Sequence, residues 1–228
     1  MIDKAAPVEG SWVMDAVPYV QRDDGVFVGA LMPPSPLKPA GSFVVSVEGE
    51  ILTIPYRIYG PELGAVDLAV LSETQRTLMH CLYTRHHDGR VRQRHLSSII
   101  GEVHPWVAPF VVQLVGEYVL NILMDIRSGL VEVDTPGTQM HAMYGRFGAA
   151  NPEFIARTRQ RVASYWHCYY RNVWTDRKFY PGTTVIDSVR AAARHFQPVG
   201  RVAGPTRAAG GHPADGGVTH FPMEASRT

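Results

Sequence analysis

The sequence predicts a mainly α fold, a single helical domain of about five helices over 71–196. An extended acidic arm carrying one β-hairpin precedes it over 1–70, and a disordered tail follows over 197–228. Three observations predict this layout. Apolar residues recur at helical spacing through most of 71–196, between strong capping signals. β-rich runs flank a glycine turn only around 42–59. From Gln197 onward the chain is rich in glycine, proline and alanine and almost lacks large apolar groups. At 228 residues, 45% of them hydrophobic, one principal core is expected.

Taken in order, 1–41 reads as irregular, because the prolines of "LMPPSPLKPAG" are spaced too closely for a helix or an inner strand. "SFVVSVEGEILTIPYRIYG" then reads as the hairpin, with Gly49 between Glu48 and Glu50 taking the turn and Pro55 marking an edge or bulge position. Ser72 followed by Gln75 forms a capping box, and Leu78, Met79, Cys81 and Leu82 give that helix an apolar face. Asp88 is placed to cap a second helix that turns Val91, His95, Leu96, Ile99 and Ile100 inward, with Gly101 at its end. Pro105 or Pro109 opens a spine helix over 106–126, apolar except for Gln113, Glu117, Asn121 and Asp125 at a spacing of four. That stripe makes the segment a buried core helix touching a polar seam rather than a membrane span. Asn151, Pro152 and Glu153 start another helix with Ile155, Val162, Trp166, Tyr169 and Val173 inward, and a last helix over 184–196 buries Val185, Ile186, Val189 and Phe196.

The formal charge of +1 gives no overall case for nucleic acid or an anionic membrane. Its distribution is uneven. Residues 1–75 carry four bases against ten acids, a net of −6, whereas 151–196 carry eight bases against three acids, a net of +5. Two cysteines, Cys81 and Cys168, lie in apolar or aromatic helical patterns, which fits a reduced, cytoplasmic protein without structural disulfides.

"CLYTRHHDGRVRQRH", residues 81–95, crowds Arg85, Arg90, Arg92 and Arg94 with three histidines around one aspartate and one glycine. The helix pair over 72–100 resembles one HEAT repeat, which places an aspartate at the turn and "VR" early in the second helix, as "DGRVR" does here. The likeness spans about an eighth of the chain, has no repeating period around it, and implies a helical hairpin only. "HD" at His87 and Asp88 resembles the dyad of HD-type phosphohydrolases, but the upstream histidine and distant aspartate of that pattern have no counterpart. Adjacent histidines diverge in a helix and the arginines repel a cation, so neither a metal nor another cofactor is expected. Arginines at the start of the second helix meet the positive end of its dipole and call for a negative partner: the acidic arm, an acidic protein, or a phosphate.

A second cationic surface follows. Arg157, Arg161, Ser164, Cys168 and Arg171 share one helical face, and a thiol between guanidinium groups is a possible reactive thiol. The sequence therefore predicts a non-enzymatic adaptor or accessory subunit that binds a protein with an acidic surface, through Arg85, Arg90, Arg92 and Arg94 and through Arg157, Arg161 and Arg171. The rival is a small hydrolase or transferase for a phosphorylated or acidic substrate, with His86, His87, Asp88 and Glu117 around one polar pocket. Nucleic-acid binding is a weaker alternative, because helical spacing turns Trp166 and Tyr169 inward, where they cannot stack a base.

Overall fold

Strands β1 (Ala40–Val47) and β2 (Glu50–Arg57) pair antiparallel across a two-residue turn. The computed structural model that shows this describes residues 11–64 and 68–197, so the expected tail beyond Gln197 and residues 1–10 of the arm lie outside the described residues. Glu48 and Gly49 both take positive φ, 50° and 90°, as a type I′ turn requires. The turn makes Val47 and Glu50 the closing hydrogen-bonded pair, and bonded pairs recur at Val45↔Leu52 and Phe43↔Ile54. Pro55 stands opposite Ser42, at a pair that exchanges no backbone bond, so its missing N–H leaves the ladder intact. Phe43, Val45, Val47, Leu52 and Ile54 form the buried face, while Val44 and Ile51 stay exposed on the other.

The arm before the hairpin is not extended throughout, which corrects the sequence reading. Helices α1 (Ser11–Ala16) and α2 (Arg22–Leu31) occupy it, and the irregular stretch begins only near Pro33. Val13, Ala16 and Val17 of this segment are buried with Val28 of α2, and α1 packs on β2. Gly25 makes the close crossing possible: a Cβ there would sit 2.9 Å from Val17 Cγ2. Asp23 and Asp24 in the first turn of α2 suit the helix dipole.

Helix α3 (Glu73–Tyr83) begins with the expected capping box, Ser72 Oγ accepting from Gln75 N–H and Gln75 Oε1 accepting from Ser72 N–H. Asp88 Oδ1 accepts from Arg90 N–H at 2.7 Å and starts α4 (Gly89–Ser97). The expected spine is broken. Helix α5 (Ala108–Val115) ends at Gly116, residues 116–119 are non-helical, and α6 (Leu120–Gly129) starts afresh. Every residue of α5 is buried, so it is the core helix, but the polar stripe splits: Gln113 and Glu117 face the interior, Asn121 is exposed, and Asp125 is half-buried and accepts from Gln93 Nε2.

Helices α7 (Gln139–Ala150), α8 (Pro152–Tyr165) and α9 (Pro181–Arg194) pack around α5. Small residues let α7 and α9 approach closely; a Cβ on Gly148 would meet Ala193 Cβ at 3.0 Å. Val185, Ile186 and Val189 of α9 are buried as expected. Asn151 does not cap α8 with its side chain; it turns to the hairpin instead. Of the expected inward stripe Trp166 packs half-buried against the core, but Tyr169 and Val173 do not, because Trp166–Tyr170 winds as a single π-helical turn that inserts one residue and shifts the register. Tyr169 and Val173 are consequently exposed.

Candidate functional site

The elbow between α3 and α4 is built into the hairpin. Ile58, just beyond β2, donates its N–H to Arg85 O and accepts from His87 N–H, each at 2.9 Å, extending the strand by one parallel bridge. Gly60 takes φ 109°, a conformation glycine adopts freely, and its carbonyl accepts from His86 Nε2 at 2.8 Å. His86 Nδ1 then accepts from Asp88 N–H, so both ring nitrogens are committed, with the donor hydrogen on Nε2.

Two of the arginines expected at a binding surface are instead interior, which corrects that expectation. Arg85 is 0% exposed and reaches Thr84 Oγ1 through Nε and Phe110 O through Nη2. Arg92 is likewise buried: Nη1 donates to the carbonyls of His86 and His87, and Nε lies 2.9 Å from Glu117 Oε2. Glu117 Oε1 takes Arg57 Nη1, also at 2.9 Å. Burial, only partly offset by Glu117, pulls the Arg85 guanidinium down to about 9. The carboxylate is 2% exposed and clamped from two sides, and the surface chemistry His86, His87, Asp88 and Glu117 would need as one pocket is missing. His87 and Asp88 are exposed, His86 is tied to the backbone, and Arg92 stands between them and Glu117.

Arg94 and His95 continue the elbow outward. Both engage Glu62, Arg94 through Nη2 and His95 through Nε2 at 2.8 Å, so a residue of the acidic N-terminal region neutralises one elbow arginine. Burial alone would raise the Glu62 carboxyl, but the His95 hydrogen bond and the Arg94 charge outweigh it and hold the group low. On the other side His95 Nδ1 meets His80 Nδ1 at 2.7 Å. Arg90 alone of the four remains exposed without an ion pair among the described residues.

The surface that survives as a candidate lies along α8 and the π turn. Arg161 sits over the Tyr56 ring at 5.9 Å, and its stem crosses Gly116, where a Cβ would be 3.6 Å from Arg161 Cδ. Beyond Gly116, Tyr118 packs on Tyr165 and Tyr169 with centroids 6.0 Å and 6.4 Å apart, and Tyr165 and Tyr169 stack at 6.2 Å. Tyr170 Oη donates to Tyr118 O at 2.6 Å and fixes the loop against the turn. Tyr118 is 56% exposed, Tyr169 64% and Val173 68%. Arg157 and Arg171 are exposed and, with Arg161, carry no ion pair among the described residues, whereas Arg159 and Arg190 share Asp187 and Lys178 pairs with Asp176. Exposed Cys168 lies inside the π turn. The sequence pointed to Arg157, Arg161 and Arg171 but missed Tyr118 and Tyr169, since only the broken spine and the π turn bring those rings to the surface.

A separate groove of about 700 Å³ runs between the hairpin turn, Val103 with Pro105, and the α7 face bearing Ala142, Met143 and Arg146. Its cation, Arg146, already lies over the Phe196 ring at 5.6 Å. Among the described residues no three His, Cys, Asp or Glu side chains gather to hold a metal, and no helix is long and apolar enough to cross a membrane. Compared with protein-family models, with curated proteins and with solved structures, the chain matches none.

Proposed function

We propose that the protein is a binding module, an adaptor or accessory subunit, that captures an acidic protein segment on the surface formed by Tyr118, Tyr165, Tyr169, Arg157, Arg161 and Arg171. The observation that carries this reading is the continuity of Tyr118 and Tyr169, both exposed, with guanidinium groups that form no ion pair among the described residues. Tyrosine and arginine supply most of the energy at protein interfaces, tyrosine because it buries a large ring while fixing few torsions. A contiguous exposed aromatic patch also marks a contact surface more often than chance exposure does. An acidic occupant satisfies the three arginines, and a partner with aliphatic side chains covers Val173 and the ring faces. The two cysteines as thiols fit work in a reducing compartment such as the cytoplasm. The phosphate-acting enzyme loses support because its expected residues do not share a cleft.

A photo-crosslinking residue at position 169, compared with one at exposed Asp134 on the described surface, identifies the occupant in the source cells. The purified partner should bind through an acidic stretch, and Tyr169→Ala with Arg171→Glu should weaken it at least about 10-fold, the loss of one interfacial hot spot. Unchanged affinity in the double variant overturns the assignment. Retention of single-stranded nucleic acid with a steep salt dependence replaces it with a base-stacking role.

A further inference from the structure

Beneath the Gly116–Tyr118 turn the interior holds more positive than negative charge. Arg57, Arg85 and Arg92 surround a single carboxylate, and both oxygens of Glu117 are taken by Arg57 and Arg92. Arg85 therefore has a fully buried guanidinium and no carboxylate within ion-pair distance among the described residues. Among the described residues its Nη1 has no hydrogen-bond acceptor and neither has the buried Nε2 of Gln113, while Glu117 meets Arg57 and Arg92 as ion pairs without hydrogen-bond geometry. Helix geometry brings Gln113 onto the face of α5 that Arg85 meets. Arg85 Nη2 is pinned to Phe110 O, Gln113 lies about one turn further along the same face of α5, and Glu117 stands in the non-helical stretch just beyond the helix.

We propose that this seam binds one monoatomic anion of chloride size, held by Arg85 Nη1 and Gln113 Nε2. Two buried donors without an acceptor among the described residues, and one buried cation whose burial Glu117 only partly offsets, are answered together by a single small anion. Water answers only the first need, because it is neutral and adds no counter-charge in a low-dielectric place. An internal thiolate is no substitute: burial pushes the nearby Cys81 thiol well above its ordinary value and keeps it protonated. Phosphate and sulfate, with four oxygens, ask for more donors than the two left over. Glu117 does not repel the ion strongly, since two guanidinium groups already neutralise it. Occupancy would lock the junction where Arg57 and Ile58 of the hairpin meet the elbow, directly under the turn that presents Tyr118. The inference is independent of the protein-binding reading.

The test compares thermal unfolding of the whole chain in sodium chloride, sodium bromide and sodium gluconate at equal ionic strength. Binding to the native state alone raises Tm by about 3–6 °C for each tenfold rise of chloride or bromide above half-saturation, with no such rise in gluconate. Gln113→Leu removes one donor and leaves Arg85 in place, so it should shift the chloride dependence to at least about 10-fold higher concentration, one lost charge-assisted bond. Should that variant fail to fold, the unaltered protein still decides the matter: crystals grown in bromide should show anomalous scattering in contact with Arg85 Nη1 and Gln113 Nε2. Identical unfolding curves in all three salts, or only water-like density between those two nitrogens in bromide, overturn the proposal.

Discussion

The side-chain amide of Asn151 clasps the backbone of Ser46, 105 residues earlier in the chain: Oδ1 accepts from Ser46 N–H and Nδ2 donates to Ser46 O, each at 2.7 Å. Nδ2 also reaches Phe147 O at 2.8 Å. The outer edge of β1 is thereby closed at the point where α7 hands over to α8, and a glutamine-like reach is unnecessary because Phe43 and Phe154 already stack at 5.3 Å beside it.

Asn151→Ala should accordingly destabilise the protein by about 2–3 kcal/mol, because two strand groups in a partly buried place lose their partner. For a chain of this size that lowers Tm by about 4–12 °C. Asn151→Asp keeps the acceptor but sets a carboxylate against Ser46 O, so it should be no better tolerated than the alanine. Amide hydrogen exchange at Ser46 checks the cause: protection there should fall in both variants, and undiminished protection would show that the hairpin is held by other means.

Glu117→Gln should cost about 3–5 kcal/mol, since it leaves buried Arg92 without its carboxylate and adds an unneutralised charge to the interior already holding Arg85. Arg57→Gln should cost only about 1 kcal/mol or less, because the Arg57 side chain is 27% exposed and water replaces part of the lost interaction. Urea unfolding of the two variants tests the order. Equal losses would mean that Glu117 is not the hub of a buried seam.

Local signals in the sequence were decisive where a short stretch determines its own backbone. The Glu48–Gly49 turn, the Ser72–Gln75 capping box and the Asp88 cap each need only a few neighbouring residues, and each is present. Tertiary choices were invisible to the same reading. Helix α2 hid behind the prolines that begin only at Pro33, and its Gly25, a poor helix former, is there to admit Val17. The spine reads as one continuous periodic helix until Gly116 packs against Thr158 Cγ2 and Arg161 Cδ, a contact made by residues more than forty positions away. One inserted residue at the π turn moved every later position of the aromatic stripe, which reversed Tyr169 from interior to surface. Charge counting placed arginines at the elbow but could not tell Arg85 and Arg92, which meet carbonyls and Glu117, from Arg90, which meets solvent.

Acid should loosen the contact between α3 and α4. Burial, followed by the charges of His95 and Arg76, pulls His80 down to about 4, and burial also lowers His95 although Glu62 works against it. A histidine whose folded value lies below its unfolded value of about 6.5 takes up protons more readily when unfolded, so its contribution to stability is complete above pH 6.5 and is lost as pH falls towards 4. The geometry agrees: the two Nδ1 atoms 2.7 Å apart share one proton, and a second proton drives them apart. Glu62, Arg94, Arg76 and His86 are the other charged or titratable groups near the pair. Discounted about twofold for the partial exposure of His80, the loss is on the order of 2 kcal/mol, or about 3–7 °C in Tm. His80→Gln should flatten the dependence between pH 4 and 6.5. An unchanged slope in that variant would assign the acid sensitivity to other groups.

The two thiols should differ by orders of magnitude in reactivity. Cys168 is exposed in the π turn, with Arg171 three residues on, whereas Cys81 is 0% exposed on α3 and its thiol is pushed well up by burial. A neutral aromatic disulfide reagent should titrate one thiol in the native protein at once and the second only as the chain opens. Global unfolding free energies of about 5 kcal/mol or more place that opening at roughly one molecule in several thousand, so the slow phase should lag by a comparable factor. The fast phase also tests the idea of a thiol tuned by guanidinium groups. Arg171→Ala, which removes the cation three residues on, should slow the reaction of Cys168 with the reagent. A rate equal to that of a simple cysteine peptide, unmoved by the substitution, would leave Cys168 as an ordinary surface residue whose place in the turn reflects the inserted π register alone.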